Sequence, residues 1–351
     1  MNFASDNAGP AAPEIMTAVL RANSGYEPSY GAEPAMDRVR ALVREQFEAP
    51  EAEVFLVATG TAANVISLAC LCPPWARVYC HEESHLEQDE CGAPEFFTHG
   101  AKLHLLPGDH GKIAPETLRA AIEATPKGFV HAQQPGAVSI TNLTEAGTAY
   151  TPDEVAALAA IASEHGLPFH MDGARFANAV AGLDVSPAAL TTGAGVTALS
   201  LGGTKNGCLG VEAVVLFDPS LAWEFELRRK RGAHLFSKHR YLSAQMEASL
   251  EDGLWLTLAA NANAMAKALA GAIDALPGGS LVHPRDGNEV FARFPRVVHR
   301  RLMDAGAKYY LWPFDQSLDG PGDEPLSCRL VTNWSTTGEE ISAFLNAMKG
   351  G

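Results

Sequence analysis

Apolar runs of strand length alternate along the chain with segments of helical periodicity. EVFLVA (53–58), RVYCHE (77–82), KLHLLP (102–107), FVHAQQ (129–134), PFHMDG (168–173) and ALSLGG (198–203) read as strands; TAANVISLACLC (61–72) and the segments opening at Pro115 and Pro152 read as helices. The strand runs are continuously apolar rather than alternating. Such strands are buried on both faces, so the pattern predicts an α/β fold with a mainly parallel sheet flanked by helices. After LGVEAVVLF (209–217) the pattern changes to long helices over about 219–230 and 239–276, the second ending at the breaker PGG (277–279). The runs SLVHP, EVFARF, YYLWP and SCRLVT follow, with helices near 295–305 and 337–348, and predict a smaller α+β unit. The expected division is a large α/β domain over 1–250, with an N-terminal arm and connecting helices, and a small C-terminal domain over 251–351.

Composition narrows the partners. Forty-one acidic residues against 26 basic ones give a formal charge of −15, so the surface repels phosphate backbones and acidic membrane faces. Neither nucleic acid nor a membrane is an expected partner. The N-terminus MNFASDNAGP has no cationic region followed by an apolar core, which points to the cytoplasm. Six cysteines without CxxC pairs suit reduced, mostly buried thiols rather than a disulfide framework.

Two strand ends carry the first chemistry. Asp172 stands at the end of PFHMDG, and Lys205 follows ALSLGG by two residues. Open α/β sheets present ligand groups at this edge, and a carboxylate there needs a cationic partner. Pyridoxal phosphate (PLP) uses such a pair, a lysine for the Schiff base and an aspartate to keep the pyridine nitrogen protonated. Each residue alone is equally an ordinary strand-end group. VATGTAANVISLA (57–69) adds a turn at Gly60 and Thr61 at a helix start, where free N–H groups and the helix dipole bind an anion. A routine helix cap has the same sequence.

HEESH (81–85) matches the zinc-peptidase pattern H-E-x-x-H, but its first histidine ends a strand run, so no single helix carries the pair. His85 is better read as a ring that stacks on PLP and stands near the reacting bond. Arg329 in SCRLVT offers a bidentate fork to a substrate carboxylate, with Arg175 beside Asp172 supporting the aspartate and the substrate; both types also form plain surface ion pairs. The cationic run RRKRGAHLFSKHR (228–240) is either a solvated helix face or a reach toward a phosphate across a subunit boundary.

Taken together, SDN (5–7), SYGAEP (29–34), FLVATGTAAN, SHLEQDECGAPEFF (84–97), HMDGARFANA and LSLGGTKNG resemble the threonine aldolase family, PLP enzymes of fold type I, from residue 3 to about 250 and more weakly through CRLVT. The QDECGAPEFF and TKNG versions look most like low-specificity and phenylserine-type aldolases. The resemblance implies that Lys205 holds PLP, Asp172 pairs its ring nitrogen, Gly60 and Thr61 bind its phosphate and His85 stacks on its ring. It further implies that Ser5, Arg175 and Arg329 hold the carboxylate of a small amino acid substrate, while Tyr30 and Glu90 line the pocket. The family builds its site between two subunits, which implies a homodimer and commonly a homotetramer. Lys230 and Lys238 match its phosphate-reaching cations with altered spacing. Where many members carry a second histidine in an N-T-H-N stretch after a strand, this chain reads Gln133, Gln134, Pro135, Gly136, so the expected base is His85 with Glu90. The implied reaction is retro-aldol cleavage of L-3-hydroxy-2-amino acids to glycine and an aldehyde. β-Elimination, racemisation, transamination and a zinc hydrolase built on HEESH are the rivals.

Overall fold

The structure, a computed structural model, describes residues 1–350. Seven strands form the large sheet: β1 (Glu53–Val57), β2 (Ala76–His81), β3 (Lys102–Leu106), β4 (Gln134–Thr141), β5 (Phe169–Gly173), β6 (Ala198–Gly202) and β7 (Glu212–Leu216). Their spatial order is β1-β7-β6-β5-β4-β2-β3. The run from β3 to β6 is parallel, whereas β7 lies antiparallel between β1 and β6. Burial on both faces explains the unbroken apolar runs: in β1, Val54 and Leu56 enter one core while Phe55 and Val57 enter the other. The helix Gly60–Leu71 packs on the second of these faces, and the helices Pro34–Gln46, Pro152–Glu164 and Phe176–Leu183 pack on the first.

A second, antiparallel sheet has the order β10-β11-β9-β8, with β8 at Ser280–Leu281, β9 at Glu289–Pro295, β10 at Tyr310–Leu311 and β11 at Pro325–Val331. Its core gathers Leu269, Phe294, Leu330 and Phe344. The helix Leu254–Asp274 serves both cores, giving Trp255 and Ala259 to the large one and Leu269 and Ile273 to the small one. The N-terminus crosses over as well. Phe3 is fully buried in the small core, its N–H bonded to the Lys308 carbonyl at 2.7 Å and its carbonyl accepting the Val331 N–H at 2.8 Å.

Three predicted elements differ. FVHAQQ is a turn rather than a strand, and β4 begins only at Gln134. The long helix of 239–276 is two, Arg240–Leu250 and Leu254–Asp274, because Asp252 (φ 50°) and Gly253 (φ 69°) turn left-handed between them. The preceding helix is Ala222–Arg231, entered through a short 3₁₀ turn, Pro219–Leu221. All six cysteines are free thiols, with Cys91 exposed and Cys72, Cys80, Cys208 and Cys328 buried. Burial pushes the Cys72 thiol up to about 11 and Cys208 up to about 12, so both stay protonated. Among the described residues no helix is long and apolar enough to cross a membrane.

Candidate active site

The C-terminal ends of β5 and β6 and the first turn of the helix after β1 meet at one edge of the large sheet. There they enclose a cavity of about 230 Å³ whose wall includes Gly60, Thr61, Asn64, His85, Asp172 and Lys205. Lys205 rides on a single 3₁₀ turn, Thr204–Asn206, that the TKNG residues fasten on every side. The Thr204 hydroxyl accepts the Val211 N–H at 3.2 Å, the Asn206 amide donates to the Trp255 carbonyl at 2.8 Å, and Gly207 closes the turn at φ 95°. A side chain at Gly207 would be strained at that φ and crowd Leu258 at 3.0 Å.

Asp172 is 3% exposed. Its Oδ2 accepts from the Asn64 amide at 2.9 Å and its Oδ1 from the Ala174 N–H at 3.0 Å. The same Asn64 Nδ2 donates to Glu90 Oε1 at 3.0 Å, and Glu90 Oε1 also meets His85 Nδ1 at 2.9 Å. An imidazole, an amide and two carboxylates thus form one connected line. Hydrogen bonding to Glu90 raises the His85 pKa, against the opposing effect of burial and with help from Asp172. Burial holds the Glu90 carboxyl above its ordinary range although His85 and Asn64 both bond to it.

At the start of Gly60–Leu71, Thr59 caps the helix by accepting the Ala62 N–H at 3.2 Å. The N–H groups of Gly60 and Thr61 precede the first intrahelical bond, and a Cβ added to Gly60 meets no atom of the described residues within 4 Å, its own helix backbone and chain neighbours aside. Donors that face open space at a helix N-terminus make an anion cradle.

Arg175 does not bond Asp172. Its Nε and Nη2 hold Asp6 at 2.7 and 3.1 Å, and Glu289 Oε2 lies 3.2 Å from Nη1. A guanidinium has five N–H bonds, so with two engaged by Asp6 the outer edge retains donors. Burial opposes ionisation of Asp6, but Arg175 and Lys205 together hold its carboxyl below the ordinary range. For Glu289 burial wins and pushes the carboxyl up to about 7. Asn288 joins this cluster by donating to Asp6 at 3.1 Å, tying the N-terminal arm, β9 and the large sheet together.

A scan against protein families matches residues 2–295 to the family described as Beta-eliminating lyase. The chain belongs to this lyase family. A low specificity L-threonine aldolase of Pseudomonas sp. is 42% identical over 308 residues, 88% of each chain. Another, of Pseudomonas aeruginosa, is 40% identical over 339 residues, 97% of this chain and 94% of its own. Among solved structures, the threonine aldolase of Leishmania major superposes with a TM-score of 0.91 at 27% identity, covering 99% of this chain and 98% of that one.

In this lyase, several expected site residues are not part of the cavity wall. Ser5 caps the turn Asp6–Ala8 by accepting the Asn7 N–H at 3.1 Å, and it is the next residue, Asp6, that reaches Arg175. Tyr30 is half-exposed at φ 62°, with Lys230 Nζ 5.0 Å from its ring centroid. Lys230 and Lys238 are exposed and, among the described residues, form no ion pair. Arg329 lies on β11 with its guanidinium 4.6 Å from the Trp312 ring centroid, and its Nε is buried without a hydrogen-bond partner among the described residues. His81 ends β2 with both ring nitrogens engaged, Nε2 with the Gly108 carbonyl at 3.0 Å and Nδ1 with the Glu83 N–H at 3.1 Å, while His85 opens a separate four-residue helix. HEESH therefore does not present two imidazoles from one helix face.

The Gln133–Gly136 comparison also moves. These residues begin β4, and Gln134 lies seven residues before Thr141, the partner of Asp172, which is about 23 Å at roughly 3.3 Å per residue. The stretch that leaves β4 at the site edge is Asn142, Leu143, Thr144. It too contains no histidine. Sequence reading missed Asn64, Asp6, Glu212 and Glu289. Asn64 left a trace as a lone amide in an otherwise apolar helix start, and Asp6 as the middle residue of SDN (5–7).

Proposed function

We propose that the protein cleaves L-3-hydroxy-2-amino acids of the threonine, allo-threonine and phenylserine type to glycine and an aldehyde, with PLP bound to Lys205. The observation that carries this reading is the convergence of Lys205, Asp172 and the open N–H cradle of Gly60 and Thr61 on one cavity. A fixed carboxylate, an amine and an anion site are the groups that PLP needs, and this donor set fits it. Bound there, PLP supplies an electron sink for the bond broken at Cα.

The chain's own residues do the rest. Asp172, oriented by Asn64 and the Ala174 N–H, keeps a proton on the ring nitrogen. Arg329 and the outer edge of Arg175 hold the substrate carboxylate, which orients the scissile bond. Asp6 anchors Arg175 from behind. His85, its Nδ1 side fixed by Glu90, removes the β-hydroxyl proton. The names of the Pseudomonas relatives support cleavage over β-elimination, racemisation or transamination, which the Lys205–Asp172 pair alone serves equally.

The same reading makes the enzyme a cytoplasmic homo-oligomer, dimer or tetramer, with Tyr30, Lys230 and Lys238 acting across a subunit boundary. Their exposure and their absence from the lining of their own cavity support this. It also takes 1–250 and 251–351 as the two domains, with Phe3 inserted in the smaller. The deciding experiment incubates the protein with threonine, allo-threonine and phenylserine and assays glycine and each aldehyde. Formation of ammonia and a keto acid in their place defeats the cleavage reading.

A further inference from the structure

The hairpin between β6 and β7 carries Lys205 and returns to the sheet at Glu212. Because β7 runs antiparallel, its first residue stands at the edge where the parallel strands end, paired in register with Gly202 on one side and Val57 on the other. Glu212 is 7% exposed, and its Oε2 accepts the Gly203 N–H at 2.8 Å. The Thr204 hydroxyl lies beside the carboxyl, so its contacts are the two residues immediately before Lys205. The side chain lines the same cavity as Lys205. An amide would accept the same N–H at far lower desolvation cost, so a carboxyl in this place calls for a role that uses its charge.

We propose that Glu212 is a positioning residue for Lys205: it fixes the turn that presents the amine, and its charge holds a proton on the Lys205 nitrogen. The proposal rests on the reading that Lys205 carries PLP. Burial pushes the Glu212 carboxyl up to about 7, with Thr204, Gly203 and Lys205 opposing the rise and Asp172 adding to it. The other titratable groups around it are few. His85 faces the cavity from its short helix, Asp6 on the N-terminal arm feels the Lys205 charge while bonding Arg175, and the Cys208 thiol of the hairpin stays protonated. Between an ionised Glu212 and a protonated Lys205 nitrogen each charge favours the other, and the coupling is reciprocal.

The test uses the full chain loaded with PLP. The visible absorbance of bound PLP follows protonation of its bond to Lys205, and its pH midpoint is measured for wild type, Glu212→Gln and Glu212→Asp. The expected result is a midpoint lowered by about one pH unit in Glu212→Gln, and lowered by less in Glu212→Asp, which keeps the charge one methylene further off. A Gln variant with its colour retained and its midpoint unmoved overturns the proposal. If the Gln variant does not fold, the Asp variant decides on the same readout, a downward shift supporting the role and no shift refuting it. Borohydride reduction and peptide mapping keep the two readings separate. A pyridoxyl label on another lysine defeats the assignment of PLP to Lys205, whereas a label on Lys205 with an unmoved midpoint defeats Glu212 alone.

Discussion

The Nδ1 atom of His85 lies 2.9 Å from Oε1 of Glu90, and that carboxylate is only 3% exposed. A buried acceptor on one ring nitrogen fixes the tautomer and leaves Nε2 as the basic one. The same contact raises the His85 pKa. As the proposed base, His85 must lose its proton before it works, so its raised pKa places the acidic limb of the rate profile above the ordinary histidine position. Glu90→Gln removes the charge and lets that limb move to lower pH, while turnover falls by about 10²-fold as orientation and basicity are lost. The pH dependence of kcat for threonine cleavage checks this; an unmoved limb takes Glu90 out of the proton transfer.

The Glu289 cluster predicts a pH effect on stability that is independent of catalysis. Its carboxyl, ordinarily near 4.5, is pushed up to about 7 by burial in spite of Arg175. Between these values the unfolded chain has already released a proton that the folded chain keeps. Folding stability therefore falls as pH rises from about 4.5 to about 7, and levels off above that. Glu289→Gln should flatten that part of the curve, by up to about 3 kcal/mol for a shift of this size. Denaturant melts across a pH series measure it, and parallel curves for the two proteins would contradict the assignment.

How far these features could be read in advance depends on the range of the interactions. β1 was legible because Val54, Phe55, Leu56 and Val57 all face a core, which leaves an unbroken apolar run. β4 was not, because its opening, Gln134-Pro135-Gly136, has loop composition. The structure uses Gly136 for close approach at an irregularity between β2 and β4, where a Cβ would meet that of Ala76 at 2.4 Å. Lys205 and Asp172 stood out because strand ends present them. Asp6 did not, since its partner Arg175 is 169 residues away and nothing local marks the pair. Glu212 was hidden inside the strand run LGVEAVVLF, where only the antiparallel pairing reveals which end of the strand faces the cavity.

The proposed phosphate cradle yields a prediction that separates ligand binding from folding. Gly60 opens its helix with no heavy atom of the described residues, beyond its own helix backbone and chain neighbours, within 4 Å of the place where a Cβ would stand. Gly60→Ala thus fits the folded chain without a clash, and alanine is the better helix former by up to about 1 kcal/mol. If the space above Gly60 belongs to the phosphate, the added methyl group weakens PLP retention while thermal stability of the PLP-free protein stays level or rises. PLP titration alongside thermal melts checks both halves. Undiminished affinity would move the phosphate elsewhere.

Arg329 gives the most discriminating test of substrate recognition. Its guanidinium is held against Trp312 at 4.6 Å, and among the described residues its buried Nε has no hydrogen-bond partner and no carboxylate pairs with it. A planar cation held by an aromatic face with a free donor suits a bidentate carboxylate contact. Arg329→Lys keeps the charge but replaces the fork by a point donor and loses the stacking. Hydrogen bonds to charged groups contribute about 1.5 to 3 kcal/mol each, so losing one lowers kcat/KM by roughly 10- to 150-fold. Every amino acid substrate carries the carboxylate, so the loss should be equal for threonine, allo-threonine and phenylserine at unchanged PLP occupancy. Tyr30→Phe, by contrast, should alter the ranking among them if, as proposed, Tyr30 enters the side-chain pocket across a subunit boundary. A defect in Arg329→Lys confined to one substrate would place Arg329 in that pocket, and activity at the wild-type level would leave the guanidinium as no more than a partner for Trp312.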